Sequence, residues 1–334
     1  MNILITGAFG FVGTNISEAI KNEFNPHLIA VDILETDNHV YNEFVEWKAI
    51  DKLEWNNIDA VIHLAGKAHD TKNTTEDKTY FDINLGLSQQ IFEYFLKSNA
   101  RIFIFFSSVK AVADQVKGEQ LTEEDIPNPQ TAYGKSKLAA ENYILDALQN
   151  WNRTEHLRQS ECLSHTERSR SVKSDKKVYI LRPCMIHGPG NKGNLNLLHK
   201  LVQKGIPWPL GNFNNKRSFT SMNNLAFVIN RILQTDVAQG IYQMADDEVI
   251  STNRLIDLIA VANGKKTRIW NINKKMIHGF ANLGDIFHLP LNSERLKKLT
   301  ESYVVSNKKI KQALEIERMP VSAEEGMKKT LQSF

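Results

Sequence analysis

Apolar residues in this chain come in short, solid runs separated by helix-length stretches. Residues 3–5, 27–31, 60–64, 101–106 and 178–181 read as strands buried on both faces. A further strand, third in order, is expected near 46–50. Helices are predicted over 11–21, 81–99 and 133–149. Parallel neighbours need crossover connections, so this alternation predicts an α/β fold with a doubly wound parallel sheet. No internal repeat interrupts it.

Two regions break the rhythm. Residues 152–176 hold six Lys/Arg, four Asp/Glu and five Ser, with only Leu157, Cys162, Leu163 and Val172 apolar. This composition predicts a mobile surface insertion between a helix and a strand. From Gly188 onward glycines and prolines crowd the chain, as in Gly188-Pro189-Gly190, Gly193, Gly205, Pro207, Pro209 and Gly211. A βα register is hard to hold there. The expected organisation is therefore a dinucleotide-binding domain over 1–187, with some later segments returning to it. A smaller substrate-binding α/β cap would occupy mainly 188–334.

With 334 residues, of which 42% are hydrophobic, the chain can bury a substantial core. A net charge of +3 is too mild to argue for nucleic acid. Cys162 and Cys184 do not form a disulfide framework, and no Cys/His cluster has metal-ligand spacing. The longest apolar runs fall far short of the roughly 20 residues of a membrane span, and the first strand leaves no room for a signal peptide. A cytoplasmic protein with neither a metal nor a membrane partner is expected.

Two motifs carry chemistry. The first is Thr6-Gly7-Ala8-Phe9-Gly10-Phe11-Val12-Gly13, after a strand and opening a helix. Gly7 permits a tight turn, Gly10 lets backbone approach a pyrophosphate, and Gly13 permits close helix–strand packing. The helix N-terminus offers N–H groups to phosphate. Asp32, 19 residues after Gly13 with no arginine beside it, suits a ribose hydroxyl and so NAD rather than NADP. The second motif is Tyr133-Gly134-Lys135-Ser136-Lys137. Tyr133 and Lys137 share one helical face. A nearby ammonium and a nicotinamide cation would lower the tyrosine pKa, making Tyr133 a base for a substrate hydroxyl. Ser108, at the end of a strand, is chosen to orient that oxygen, with Ser107 as the fallback.

With these motifs, and with His63-Leu64-Ala65-Gly66, Leu181-Arg182-Pro183 and His187-Gly188-Pro189-Gly190, the chain resembles an extended short-chain dehydrogenase/reductase of the sugar-nucleotide epimerase/dehydratase family over nearly its whole length. The resemblance implies a catalytic trio of Ser108, Tyr133 and Lys137. It implies cofactor contacts from Phe9, Phe11, Val12, Leu64, Ala65, Gly66 and Pro183, with Asp51 near the adenine. It implies Asn194 and Arg217 on the substrate diphosphate, and a homodimer formed through the helices at 81–99 and 133–149. The pattern departs from the family in three places. Val109-Lys110 follows Ser108 where a 4,6-dehydratase carries Asp-Glu, which argues against a dehydratase. Met185 replaces a frequent asparagine, and residues 152–176 have no counterpart. His63 and His69 are expected to be structural. The leading expectation is a UDP-hexose or UDP-N-acetylhexosamine 4-epimerase. The alternative is an NAD(P)H-dependent reductase of 4-keto-6-deoxy-sugar nucleotides.

Overall fold

A computed structural model describes residues 1–67, 76–161, 176–191, 193–287 and 292–334. His69 and Cys162 lie outside these residues. The chain divides into two compact units. The first comprises Met1–Asp114, Glu123–Pro183 and Val228–Gln243; the second comprises Gln115–Thr122, Cys184–Phe227 and Met244–Phe334.

The strands are β1 (Asn2–Thr6), β2 (His27–Asp32), β3 (Glu43–Glu46), β4 (Ala60–His63), β5 (Ile102–Phe106), β6 (Lys177–Pro183), β7 (Met185–His187), β8 (Phe219–Ser221) and β9 (Gly240–Met244). Seven of them form one sheet, ordered β3-β2-β1-β4-β5-β6-β9. Pairing is parallel from β3 through β6, with Ile5 opposite both Ala30 and Ile62. The order reverses beside β1, which makes the carboxyl ends of β1 and β4 the switch point of a doubly wound sheet.

The expected third strand is displaced. Residues 47–52 form a 3₁₀ helix, and β3 precedes it, paired to residues 29–32. An edge strand is bonded on one side only, so it can be short and carry charges, here Glu43 and Glu46. A search for a solid apolar run therefore passes over it.

The helices of the first unit are α1 (Phe11–Phe24), α2 (Asp77–Phe81), α3 (Leu87–Lys97), α4 (Ala132–Glu161) and the later part of α6 (Met222–Gln234). The helix predicted over 81–99 is in fact α2 and α3 joined by a π-helical turn, Asp82–Gly86. Phe103 and Phe105 of β5 share one core cluster with Phe92 and Phe95 of α3 and Ile144 of α4.

Helix α4 runs on through residues 152–161, so the first ten residues of the expected insertion are helical. No glycine or proline stops the helix there, and good helix formers such as Arg and Glu continue it. Residues 162–175, and with them the expected mobility, lie outside the described residues. Lys176, expected as the end of the insertion, is instead buried. Its ammonium donates to the carbonyls of Phe95, Ser98 and Ala100 at 2.8–2.9 Å and lies 4.4 Å from the Phe95 ring centroid. It thus satisfies carbonyls at and beyond the C-terminus of α3, where a cation also suits the helix dipole.

The second unit holds the parallel pair β7–β8. Its helices are α5 (Asn194–Gln203), the start of α6 (Met222–Gln234), α7 (Thr252–Ala262), α8 (Lys274–Phe287), α9 (Ser293–Thr300), α10 (Lys308–Ala313) and α11 (Ala323–Gln332). Leu255, Ile259, Phe219 and Met327 lie in its core cluster. His187 is buried there, bonded through Nδ1 to Thr330 Oγ1 at 2.8 Å, and ties β7 to α11.

Candidate active site

The glycine loop is built by close approach. At Gly7 the backbone is left-handed, with φ +67, and a Cβ would stand 2.8 Å from the Ala65 nitrogen. At Gly13 a Cβ would stand 2.4 Å from the Ala8 carbonyl oxygen. The third glycine therefore makes room for the loop itself rather than for a strand. Helix α1 then starts at Phe11 with Gly10 as its N-cap, without a side-chain cap bond and without an acidic residue in its first turn. Its first N–H groups and positive dipole end suit an anion. Asp32, closing β2, accepts from the Phe9 N–H at 2.9 Å and the Ile33 N–H at 2.8 Å. A loop of this shape, an open helix N-terminus and a carboxylate at the next strand end fit a dinucleotide.

Phe9 packs among His39, Tyr41 and Phe44 at centroid distances of 5.3–5.8 Å, and the Tyr41 hydroxyl donates to the Ala8 carbonyl at 3.1 Å. Residues 35–42 carry no periodic signal, so this support is not legible in the sequence. Asp51 is exposed on the 3₁₀ helix Trp47–Lys52.

The loop after β4 is tied to the end of β1. Leu64 donates its N–H to the Thr6 carbonyl at 3.1 Å, and Ala65 donates to Thr6 Oγ1 at 3.2 Å. At Gly66 a Cβ would meet Asn84 Oδ1 at 2.8 Å and the Lys137 ammonium at 3.1 Å. Asn84 was not anticipated. It sits in the π-helical turn, accepts from the Lys67 N–H at 2.8 Å and donates to Ser136 Oγ at 2.9 Å. It thereby couples the loop after β4 to the helix that carries Tyr133 and Lys137. Its only sequence signal was a polar residue inside an apolar helical pattern.

The two strand-end serines separate. Ser107 donates to the Glu141 carboxylate, which also receives the Arg182 Nε–H at 2.9 Å. Ser108 caps the turn Val109–Ala111 and hydrogen-bonds Tyr133 through its side chain. Adjacent residues at a strand end face opposite ways, so only one serine can meet the tyrosine. The Tyr80 ring stands edge-on to Tyr133 at 6.1 Å.

Among the chain's own groups, burial dominates the Tyr133 pKa. Burial raises it, outweighing the opposing bond from Ser108, so the phenol is neutral at pH 7. Lys137 is itself buried and is pushed down to about 8, with Glu141 partly offsetting the burial. Its ammonium donates to the Phe106 carbonyl at 2.8 Å.

Pro183 closes β6 and is buried. In the second unit, Asn194 is the first residue of α5. Arg217 is bridged by backbone bonds to Ile250, and its Nη1 donates to the Lys298 carbonyl at 2.8 Å. Burial lowers the pKa of this guanidinium.

His63 serves the scaffold. It is fully buried, bonded to Thr6 Oγ1 at 2.7 Å and to Ser88 Oγ at 3.0 Å. Ser88 donates its own proton to the Asn84 carbonyl, so His63 Nε2 is the donor and the imidazole is neutral. Burial and the Lys137 charge hold its pKa down at about 3. The unfolded chain binds a proton on this histidine below its ordinary value of 6.5, and the folded protein does not. Stability from this group is thus complete above 6.5 and is lost as pH falls toward 3. Urea unfolding should show about 2 kcal/mol lost through His63 by about pH 5. The His63→Gln protein should lose correspondingly less over the same interval, and an equal loss in both proteins would refute the assignment.

A glycine-loop dinucleotide unit with a serine, a tyrosine and a lysine beyond its fourth and fifth strands has the composition of a short-chain dehydrogenase/reductase site. The chain belongs to the NAD dependent epimerase/dehydratase family, whose model matches residues 3–245. It is 28% identical to the UDP-glucose 4-epimerase of Vibrio cholerae over 100% of this chain and 95% of that protein. It is 27% identical to the N-acetyl-alpha-D-glucosaminyl-diphospho-ditrans,octacis-undecaprenol 4-epimerase of Escherichia coli O157:H7, over 79% of this chain and 73% of that protein. Among solved structures it is similar to the Thermus thermophilus UDP-glucose 4-epimerase in complex with NAD. That match has a TM-score of 0.71 and 21% identity, and covers 100% of this chain and 98% of the other.

Proposed function

We propose that the protein is an NAD-dependent 4-epimerase of a UDP-hexose or UDP-N-acetylhexosamine. The observation that carries this reading is the end-to-end match to a UDP-sugar 4-epimerase, together with the Ser108–Tyr133 hydrogen bond. Ser108 holds the substrate C4 hydroxyl. Tyr133, as phenolate, takes its proton and later returns it to the 4-keto oxygen. Lys137 supplies positive charge beside the loop after β4. NAD, held by the glycine loop, Asp32 and residues 64–66, would supply a reversible hydride acceptor at C4. A 4-keto sugar able to turn about its diphosphate link would present its other face, which is what inversion at C4 requires.

In this reading the glycine loop, Asp32, Asp51, residues 64–66 and Pro183 hold NAD, and Asn194 and Arg217 hold the diphosphate. Residues 1–187, with later returning segments, form the cofactor domain, and 188–334 mainly the cap. The protein works as a cytoplasmic homodimer paired through α3 and α4. Val109-Lys110 after Ser108 supplies no acid/base pair for a dehydratase. The single-pass 4-keto-sugar reductase uses the same trio, but the relative matched over the full length is an epimerase.

The test is product analysis with UDP-N-acetylglucosamine and UDP-glucose at substoichiometric NAD. The C4 epimer is expected, without net cofactor change. Stoichiometric consumption of NADH with a 4-keto-6-deoxy-sugar nucleotide, and no epimerisation, would replace this reading by the reductase.

A further inference from the structure

Helix α8 is apolar on two sides. Ile277, Ala281 and Gly284 are buried in the second unit. Met276, Phe280, Leu283 and Phe287 are 47–67% exposed, and so is Trp270 just before the helix. At about 100° per residue the four helical positions fall within an arc of about 60°. A helix on a water-facing surface ordinarily turns a polar face outward. This one presents a continuous ridge of large apolar side chains.

Charge is concentrated in the same stretch of chain. Residues 264–287 and 292–300 carry eight exposed lysines and arginines, against only Asp285 and Glu294. The whole chain is just +3, so the remainder is net acidic. Both acids are engaged: Asp285 accepts the Ser293 N–H at 3.1 Å, and Glu294 pairs with Lys298 at 2.6 Å. Lys275 lies in the first turn of α8, Lys274 beside it has its ammonium 5.4 Å from the Phe213 ring centroid, and Lys265, Lys266 and Arg268 lie just upstream.

We propose that this face docks on an anionic membrane surface, with α8 lying in the plane of the headgroups. An apolar ridge beside clustered lysines is the composition of an in-plane membrane helix, whose binding adds buried apolar area to attraction for anionic lipid. A second copy of the chain is disfavoured, because a symmetric contact would bring two strongly basic patches together. Spanning is a separate matter: among the described residues no helix is long and apolar enough to cross a membrane. The expectation of no membrane partner rested on that same lack of a spanning run, which does not bear on in-plane docking.

The experiment is co-sedimentation of the full chain with vesicles of phosphatidylethanolamine and phosphatidylglycerol, beside vesicles of phosphatidylcholine alone. Binding to the anionic vesicles is expected, weakening as salt is raised, with little binding to phosphatidylcholine. Phe280→Ser/Phe287→Ser should weaken it by on the order of tenfold or more. Lys266→Glu/Lys275→Glu should do so by a similar factor. These side chains are exposed, so circular dichroism and NAD binding should stay unchanged in both variants. Absence of anionic-vesicle binding by the wild type, or binding indifferent to both variants, would overturn the proposal. So would light scattering that shows an oligomer dissolved by the phenylalanine changes in a protein that binds no vesicles. The readout is lipid binding rather than turnover, so its failure leaves the epimerase reading untouched.

Discussion

Tyr133→Phe is expected to cut kcat by roughly 10²–10⁴-fold, the usual range for losing a positioned acid/base group. NAD affinity should change little, because the glycine loop, Asp32 and the loop after β4 are unaltered. The change removes one hydroxyl, which meets Ser108 at the end of β5. Burial holds that hydroxyl neutral, so a positive charge brought beside it would favour its deprotonation. Ultraviolet difference titration of wild type against Tyr133→Phe should therefore place the tyrosine above its ordinary value of 10 without NAD, and lower once NAD is bound. Full activity in Tyr133→Phe would remove this residue from the mechanism. An unchanged titration on NAD binding would remove the coupling.

Glu141→Gln is expected to destabilise the protein by roughly 3–5 kcal/mol. Glu141 and Arg182 are 1% and 3% exposed and pair at 2.9 Å, with Ser107 donating to the same carboxylate. Losing one charge leaves the other buried and unmatched, which costs more than the pair itself contributes. The paired change Glu141→Leu/Arg182→Met should recover most of the loss, since two apolar groups leave no orphan charge. The same carboxylate raises the Lys137 pKa against burial. Its removal should drop Lys137 below its present value of about 8, and the activity–pH profile should shift with it. Thermal unfolding of the single and paired variants checks the energetics. A single change worth less than about 1 kcal/mol would show that this ion pair is not a structural tie.

The parts of the site legible in sequence were those whose chemistry needs a rare residue type at a set spacing. Gly7, Gly10 and Gly13 follow a strand, and Tyr133 and Lys137 lie one helical turn apart, so both motifs are local. What was not legible came from contacts between distant segments. Asn84 joins Lys67 to Ser136, Glu141 gathers Ser107 and Arg182, and Lys176 closes the end of α3. Each of these looked like an ordinary polar residue, and Lys176 looked like part of a loop. The edge strand β3 was misplaced for a related reason. Its single hydrogen-bonded flank lets it carry glutamates, and Phe44 and Val45 alone make too short an apolar run to mark it as a strand.

By itself the sequence determined the class of fold and the identity of the reactive groups, because solid apolar runs with helix-length spacers leave few alternatives to a parallel doubly wound sheet. Tertiary structure alone decided the state of those groups. Burial raises Tyr133, lowers Lys137 and keeps His63 neutral, and it leaves α8 with an apolar face that no neighbour within the described residues covers. Desolvation and exposure depend on what packs around a side chain, and a linear pattern does not contain that information.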